Sequence, residues 1–599
     1  MNEEKKNYTF FKVIGRIIPL EFQTAPFNCI LENLLAVMHG LSFSLTVIAT
    51  QHLFDTISKA AANEAGFPEC LVSLLLLSGV TFGQQILNGV HNFHGTGILF
   101  PKSTGKLTVL LHRKLKNIDP AQFENTDFLD DLNKAREGIM AIPLFCMILF
   151  LCISFYGVYF LSIGAYLFTL KPLLLITLLL AFIPAILAQT IHVRVFTRLE
   201  EQSAPLRREN EYYQKAICDR EYFKETRILG AFSFFNQLFT DTMELLTCKI
   251  WQAERKTALL KLMLNITTFT GMGTSAYLLF TATMDGEITI GMFAAVFAAL
   301  GQIFAIMDEI VGKHISSMNR DIGKVNNFLH LLDMEERTGS GGVPDFTKGV
   351  VAYAVSYTYP GREKPAVKNL SLNMAEGETI AIVGENGAGK STLVRLLTGI
   401  YRPTEGRVTI GGLDTSKIAP VSLFKGISGV FQKYQRYKMT LEENVAISDS
   451  LARAGSGQAE AALREAGFEK GSIRMDDMLS PEFGGIDLSG GQWQRIAIAR
   501  GLYRVNGFIV LDEPTSAIDP IEETRIYKQF QRLAEGKCAV VVTHRLGSAK
   551  LADRIVVLDH GKIVDMGTHA ELLSRSGKYA DMWAAQAQWY KRQEERLVR

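Results

Sequence analysis

Read for its apolar runs, the sequence falls into two unlike halves. Six largely apolar stretches, at 27–53, 68–92, 138–161, 172–193, 259–283 and 288–311, lie in the first half, and no comparable run follows. About twenty such residues in a helix cross a hydrocarbon core about 30 Å thick, so six membrane-spanning helices are expected. The first two are the most polar: Glu32 interrupts the first, and Gln84, Gln85, Asn88 and His91 the second. Ahead of them, Thr9–Leu20 (TFFKVIGRIIPL) sets Lys12 and Arg16 among bulky apolar groups. That pattern predicts a short helix lying in the membrane interface.

Loop charges orient the spans. Lys102, Lys106, Arg113, Lys114, Lys116, Lys134 and Arg136 lie between spans two and three, and a longer basic series from Arg194 to Lys256 lies between four and five. The opposite loops hold only Lys59 and Lys171. The positive-inside rule then places both termini in the cytoplasm. The first basic segment runs without a break into span three, the second alternates charges at helical spacing, and both are expected as helical extensions of the spans into the cytosol. A Gly/Ser break at 338–345 (TGSGGVPD) reads as a linker. Four regions follow: an interfacial helix at 1–26, a membrane domain at 27–313, a linker at 314–348 and a soluble domain at 349–599.

Composition narrows the class. With 48% hydrophobic residues, 21% charged and 37 Phe, the chain is not disordered. A formal charge of +2 provides no bulk basic field for nucleic acid. Seven cysteines, an odd number without CxxC spacing, favour reduced or buried thiols over a disulfide framework or a zinc site.

Beyond Gly349, short β-branched runs alternate with Gly-rich turns and helices. Thr379–Val383 reads as a strand running into Gly384-Glu385-Asn386-Gly387-Ala388-Gly389-Lys390-Ser391, then into an amphipathic helix that opens with Thr392. This is the phosphate loop GxxxxGK[ST] in its strand–loop–helix context. Its backbone N–H groups and the helix N-terminus face phosphate oxygens, Lys390 reaches the β- and γ-phosphates, and the Ser391 hydroxyl ligates Mg²⁺. Further on, Phe508–Leu511 reads as a buried strand ending in Asp512 and Glu513. A carboxylate there, facing the phosphate loop, holds Mg²⁺, and its neighbour can polarise the attacking water.

The soluble half resembles the ATP-binding cassette family throughout. The diagnostic segment is Leu488-Ser489-Gly490-Gly491-Gln492, followed by WQRIAIARGL. By this resemblance, Ser489, Gly490, Gly491 and Gln492 of one subunit close over ATP held by the phosphate loop of another. Tyr359 stacks on adenine, and Gln432 contacts Mg²⁺ together with Ser391 and Asp512. His544 holds the γ-phosphate and helps Glu513, the catalytic base, to orient water. Ser516-Ala517-Ile518-Asp519 corresponds to the loop bridging the two subunits. ATP and Mg²⁺ are therefore the expected ligands. One cassette per chain requires a dimer, most simply a homodimer.

Six spans ahead of a cassette are similar to exporter-type half-transporters, whose fold joins a six-helix α transmembrane domain to an α/β P-loop nucleotide-binding domain. Segments 118–136 and 218–232 are similar to that family's two coupling segments. The resemblance implies a multi-pass protein of the cytoplasmic membrane, in contact with lipid, that exports a peptide or amphipathic small molecule by alternating access. A lipid or multidrug flippase is the alternative, and an importer on the same fold a further one. Trp493 and the run Pro481–Arg500 are similar to bacterial exporters of modified antimicrobial peptides. Gln84, Asn88 and His91 share one helical face and are candidates either for a substrate cavity or for hydrogen bonds to neighbouring helices. Glu32 is expected to face a cavity or to be paired.

Overall fold

The computed structural model describes residues 8–449, 456–504, 506–513, 530–532 and 534–597. The chain divides into two compact units, Met1–His112 with Asp131–Asp333, and Arg113–Asp130 with Met334–Arg599.

The first unit is helical: α1 (Phe10–Thr24), α2 (Pro26–Ala61), α3 (Phe67–Phe93), α4 (Phe100–Asn117), α5 (Thr126–Phe150), α6 (Gly157–Leu170), α7 (Pro172–Cys218), α8 (Phe223–Ile228), α9 (Phe232–Met284), α10 (Ile290–Asp308) and α11 (Ile315–Asp333). Proline sits in the opening turn of α2, α3 and α7, where its missing N–H has no helical partner to lose. Short π-helical turns at His94–Leu99, Leu151–Tyr156 and Glu309–His314 carry α3 into α4, α5 into α6 and α10 into α11 without a break. The expected interfacial helix is α1, which buries Val13 and Ile17 on one face. Arg16 pairs with Asp333 of α11 at 2.6 Å.

Five helical stretches among the described residues are long and apolar enough to cross a membrane: Pro26–Ala61, Phe67–Asn117, Thr126–Leu170, Pro172–Glu200 and Ile290–Asp333. The sixth expected span forms the last part of α9. Its threonines lower its apolarity, yet each hydroxyl is satisfied within the helix. Thr267, Thr268, Thr270, Thr274 and Thr283 donate to the carbonyl four residues back, and Thr281 to the one three back. Such local bonding removes much of the cost of a hydroxyl away from water. The first twenty residues of the expected linker are largely helical as well, because Val325, Phe328, Leu329 and Leu331 bury one face of α11.

Two sheets make up the second unit. Strands β1 (Val350–Tyr357), β2 (Val367–Met374), β4 (Glu405–Ile410) and β5 (Leu413–Asp414) form an antiparallel sheet ordered β2-β1-β4-β5. Strands β3 (Thr379–Gly384), β6 (Ile427–Val430), β7 (Phe508–Asp512), β8 (Cys538–Val542), β9 (Arg554–Asp559) and β10 (Lys562–Gly567) form a second sheet ordered β10-β9-β3-β8-β7-β6. All its pairs are parallel except β9–β10. The fully buried runs Ile380–Val383, Phe508–Leu511 and Cys538–Val542 are its centre, as continuous apolar runs covered on both faces should be. Registers Ile382↔Val542 and Asp512↔Val542 bring the C-terminal ends of β3, β8 and β7 to one edge.

Candidate nucleotide site

That edge is where a doubly wound sheet binds ligands, and the candidate residues meet there. Gly384 closes β3, the turn 385–389 follows, and α12 (Lys390–Leu397) begins at Lys390. Gly389, with φ +98°, directly precedes α12, in a backbone region that L side chains rarely adopt. A Cβ on it would stand 2.6 Å from the Ala366 carbonyl oxygen. Turn and helix start therefore depend on that glycine.

The Lys390 ammonium is buried. It donates to the carbonyls of Gly384 (2.9 Å) and Glu385 (3.1 Å) and lies 3.8 Å from Glu513 Oε1. Its charge thus stands between the loop and the carboxylate. Ser391 Oγ lies 3.4 Å from Asp512 Oδ1, and burial holds the Asp512 carboxyl above its usual range. Two hard oxygen donors facing each other at the start of a helix fit a Mg²⁺ ion.

Glu513 follows β7 with φ +44°, an uncommon region for a side chain of its size, while its N–H bonds the Val542 carbonyl at 3.1 Å. The sheet thus fixes the direction of its carboxylate. Gln432 Nε2 donates to Glu513 Oε2 at 3.3 Å, and His544 Nδ1 lies 3.5 Å from the same oxygen. The His544 hydrogen bond holds the Glu513 carboxyl below the usual glutamate range, against the opposite effect of burial. Charged and aimed across the phosphate loop, Glu513 is in the state a general base requires.

Tyr359 packs edge-on to Tyr357 and hydrogen-bonds Thr392 Oγ1 at 2.9 Å. Ser489 caps the helix Gly490–Tyr503: its Oγ accepts from Gln492 N at 3.3 Å, and Gln492 Oε1 accepts from Ser489 N at 3.0 Å. The side chain of Gln492 is therefore committed to a capping box, leaving Ser489, Gly490 and Gly491 exposed at the helix N-terminus. Trp493 is buried beneath them among Leu441, Val445 and Ile496. Segment 516–519 lies outside the described residues.

Sequence reasoning missed one part of the site. The helical turn Pro120–Glu124, packed within this unit, places Glu124 3.1 Å from Arg395 of α12 and 2.7 Å from the Tyr401 hydroxyl. Arg395 in turn reaches Tyr401 (2.7 Å) and the Tyr359 hydroxyl (3.4 Å). The similarity of 118–136 to a coupling segment pointed to the neighbourhood, but no local pattern names Arg395.

In the membrane unit, Gln84 is buried and accepts from Thr46 Oγ1 at 2.9 Å, and His91 is buried against Glu32 at 3.2 Å. Both are turned toward α2. Asn88 is partly exposed and bonds Asn92 along its own helix. Glu32 is paired, with His91 and His94.

Comparison with known proteins agrees with the geometry. The ABC transporter family matches residues 367–516. The subtilin transport ATP-binding protein SpaT of Bacillus subtilis is 29% identical over 523 residues, 84% of this chain and 83% of that protein. The nisin transport ATP-binding protein NisT of Lactococcus lactis is 35% identical over 234 residues, 38% of this chain and 39% of that one. An ATP-dependent lipid A-core flippase of Thiobacillus denitrificans is 36% identical over 302 residues, and there the match spans about half of each chain, 50% and 52%. The solved structure of a bacterial Atm1-family ABC exporter with ATP bound shares the fold, with TM-score 0.76 at 24% identity over 92% of this chain and 97% of that one. With its phosphate loop, paired carboxylates and signature helix built on an exporter fold, the chain carries an ATP-binding cassette of the ABC transporter family and is similar to exporter half-transporters.

Proposed function

We propose that two copies of this chain form a homodimeric exporter of the cytoplasmic membrane, with six crossings per chain, that drives a peptide outward by hydrolysing Mg·ATP. The observation that carries the peptide reading is the similarity to the subtilin transport protein over most of both chains. The flippase similarity covers only half and supports a lipid as the second reading.

In this mechanism Tyr359 receives the adenine, and the N–H groups of 385–391 with Lys390 take the phosphates. Ser391, Asp512 and Gln432 would hold Mg²⁺, which supplies charge neutralisation at the β- and γ-phosphates. Glu513 accepts a proton from the attacking water, and His544 keeps that carboxylate ionised and aimed. Ser489, Gly490 and Gly491 of the second copy close the site, a role their exposure in the single chain supports. Differential affinity for ATP in the closed and open arrangements is what drives the membrane helices between two states. The apolar side chains of Ile228 and Leu229, 85% and 68% exposed, suit α8 to docking on a second copy. Asn88 faces the cargo path, with Gln84 and His91 closing the wall behind it.

The test is ATPase activity in nanodiscs, with Glu513→Gln as the blank, titrated with leader-bearing and mature cationic peptides, then amphipathic drugs and lipids. Stimulation by peptides alone supports the first reading. Stimulation by lipids or drugs alone replaces it with a flippase or multidrug exporter.

A further inference from the structure

The seam between α2 and the α3–α4 helix carries a buried polar chain that ATP chemistry does not use. Glu32, His39, His91 and His94 are 5%, 6%, 6% and 5% exposed. His94 Nδ1 lies 2.6 Å from Glu32 Oε2, and His91 Nε2 lies 3.2 Å from Glu32 Oε1. His91 Nδ1 faces His39 Nδ1 at 3.4 Å, and His94 Nε2 faces Asn28 Nδ2 at 3.2 Å. Lys102 Nζ donates to Asn28 Oδ1 at 2.9 Å.

With an ionised Glu32 and neutral imidazoles, one arrangement of protons satisfies all these contacts. An ammonium has no acceptor, so Asn28 turns its oxygen to Lys102 and its NH₂ to His94 Nε2. His94 then carries its proton on Nδ1 and donates it to Glu32. Glu32, ionised, accepts again from His91 Nε2–H, which leaves His91 Nδ1 bare to accept from His39 Nδ1–H. The chain ends at His39 Nε2, which is buried and has no hydrogen-bond partner among the described residues. Such an orphan costs free energy where it lies, and protonation would turn it from a bare acceptor into a donor.

We propose that Glu32, His39, His91 and His94 form a membrane-embedded site that takes up one proton, entering at His39 and settling between His91 and Glu32. A proton from the aqueous phase binds His39 Nε2, and His39 passes its Nδ1 proton to His91 Nδ1. His39 returns to a neutral imidazole with its proton on Nε2, while His91 becomes an imidazolium against the Glu32 carboxylate. Uptake thus converts a hydrogen bond from a neutral imidazole to the Glu32 carboxylate into an ion pair, clasping α2 to α3 more tightly in acid. A protonated seam opposes any cycle step that parts the two helices.

Local construction supports a built site. The π-helical turn His94–Leu99 offsets the helix where His94 faces Glu32, and such turns concentrate at functional positions. Gly95 lets the carboxylate lie against that turn, since a Cβ there would stand 2.6 Å from Glu32 Oε1. The His39 ring is held between Phe43 and Phe155, at centroid distances of 5.2 and 4.6 Å. Neighbouring titratable groups have other partners or positions. Glu21 of α1 bonds Ser103, Cys29 of α2 bonds the Glu21 carbonyl, and Lys106 of α4 bonds the Thr24 carbonyl. Tyr156 bonds His314, Cys146 of α5 and Tyr159 of α6 are buried, and α10 has only Asp308, at its last position. Among the described residues no group of three or more His, Cys, Asp or Glu is arranged to hold a metal ion.

The experiment is solid-state ¹⁵N-histidine NMR of the full-length protein in nanodiscs, assigned by single His→Gln variants, alongside the pH profile of ATPase activity. Neutral His39 and His94 should carry the proton on Nδ1, and His91 on Nε2. One imidazolium should form on His91 on acidification, with an accompanying ATPase change of about threefold. Glu32→Gln should remove both effects. His39→Phe, which keeps a ring between Phe43 and Phe155, should slow or abolish uptake even if Glu32→Gln does not fold. The proposal is overturned if none of the three rings titrates, if the step survives His39→Phe unchanged, or if micromolar Zn²⁺ occupies the cluster and accounts for the pH step. None of these readouts depends on which cargo is carried.

Discussion

The phenol of Tyr401 donates to the Glu124 carboxylate at 2.7 Å, across 277 positions of sequence. Glu124 ends the turn that joins α4 to α5, and Tyr401 follows the phosphate-loop helix. Through Arg395 the same carboxylate is one residue from the Tyr359 hydroxyl. The link between the α4–α5 turn and Tyr359 is therefore one charge-assisted network, and its consequences are measurable.

Glu124→Ala should raise the KM for ATP about fivefold while kcat at saturating ATP changes little, because the half-exposed pair contributes on the order of 1 kcal/mol. Arg395→Gln should act alike, and the double variant should add little to either. Steady-state kinetics at varied ATP check this, and an unchanged KM would dissociate the network from adenine binding.

Glu513→Gln should keep ATP binding and lose at least about a hundredfold in kcat, the range expected for removal of a general base. Nucleotide binding and single-turnover hydrolysis separate the two effects. Substantial residual turnover would assign the base elsewhere.

The lowered Glu513 carboxyl makes a signed prediction for pH. A depressed carboxylate stays charged as pH falls until below the usual glutamate value, so the base is lost only at the acid extreme. His544→Gln removes the hydrogen bond that holds it down. Its acid limb should therefore move to higher pH, read from kcat profiles of the two proteins. A limb that stays in place would show His544 to act only on the phosphate.

Asn88→Ala should lower transport in vesicles more than basal ATPase in nanodiscs. Gln84→Ala should instead lower thermal stability, since it leaves Thr46 without its cross-helix acceptor. Equal loss of transport and ATPase in Asn88→Ala would move the cargo path to another face.

Much of this protein is legible in sequence where the pattern is local. Gly384–Ser391 announces a phosphate loop because loop, strand and helix are contiguous. The apolar spans announce themselves by length. Legibility fails where physics is satisfied at a distance or by unobvious means. The span within α9 looks weak by apolarity because its threonines are polar by type, yet their hydroxyls are spent on the helix itself. Glu32 was recognisable as costly in a membrane, but its partners arise only when a π-helical turn brings His94 round to meet it. Likewise, nothing near Arg395 in the chain anticipates Glu124.

The pairing of α7 with α9 has a mechanical consequence. Ser275 bonds Thr177 at 3.1 Å, and Asn210 bonds Thr242 at 2.9 Å and the Phe239 carbonyl at 3.0 Å. Between these ties and nearer the first, a Cβ on Gly271 would stand 2.7 Å from that of Ala181. Two long rods pinned at separate points along their length and touching at a glycine resist both sliding and splaying. They form a lever, able to swing as one stiff arm while other helices rearrange around it.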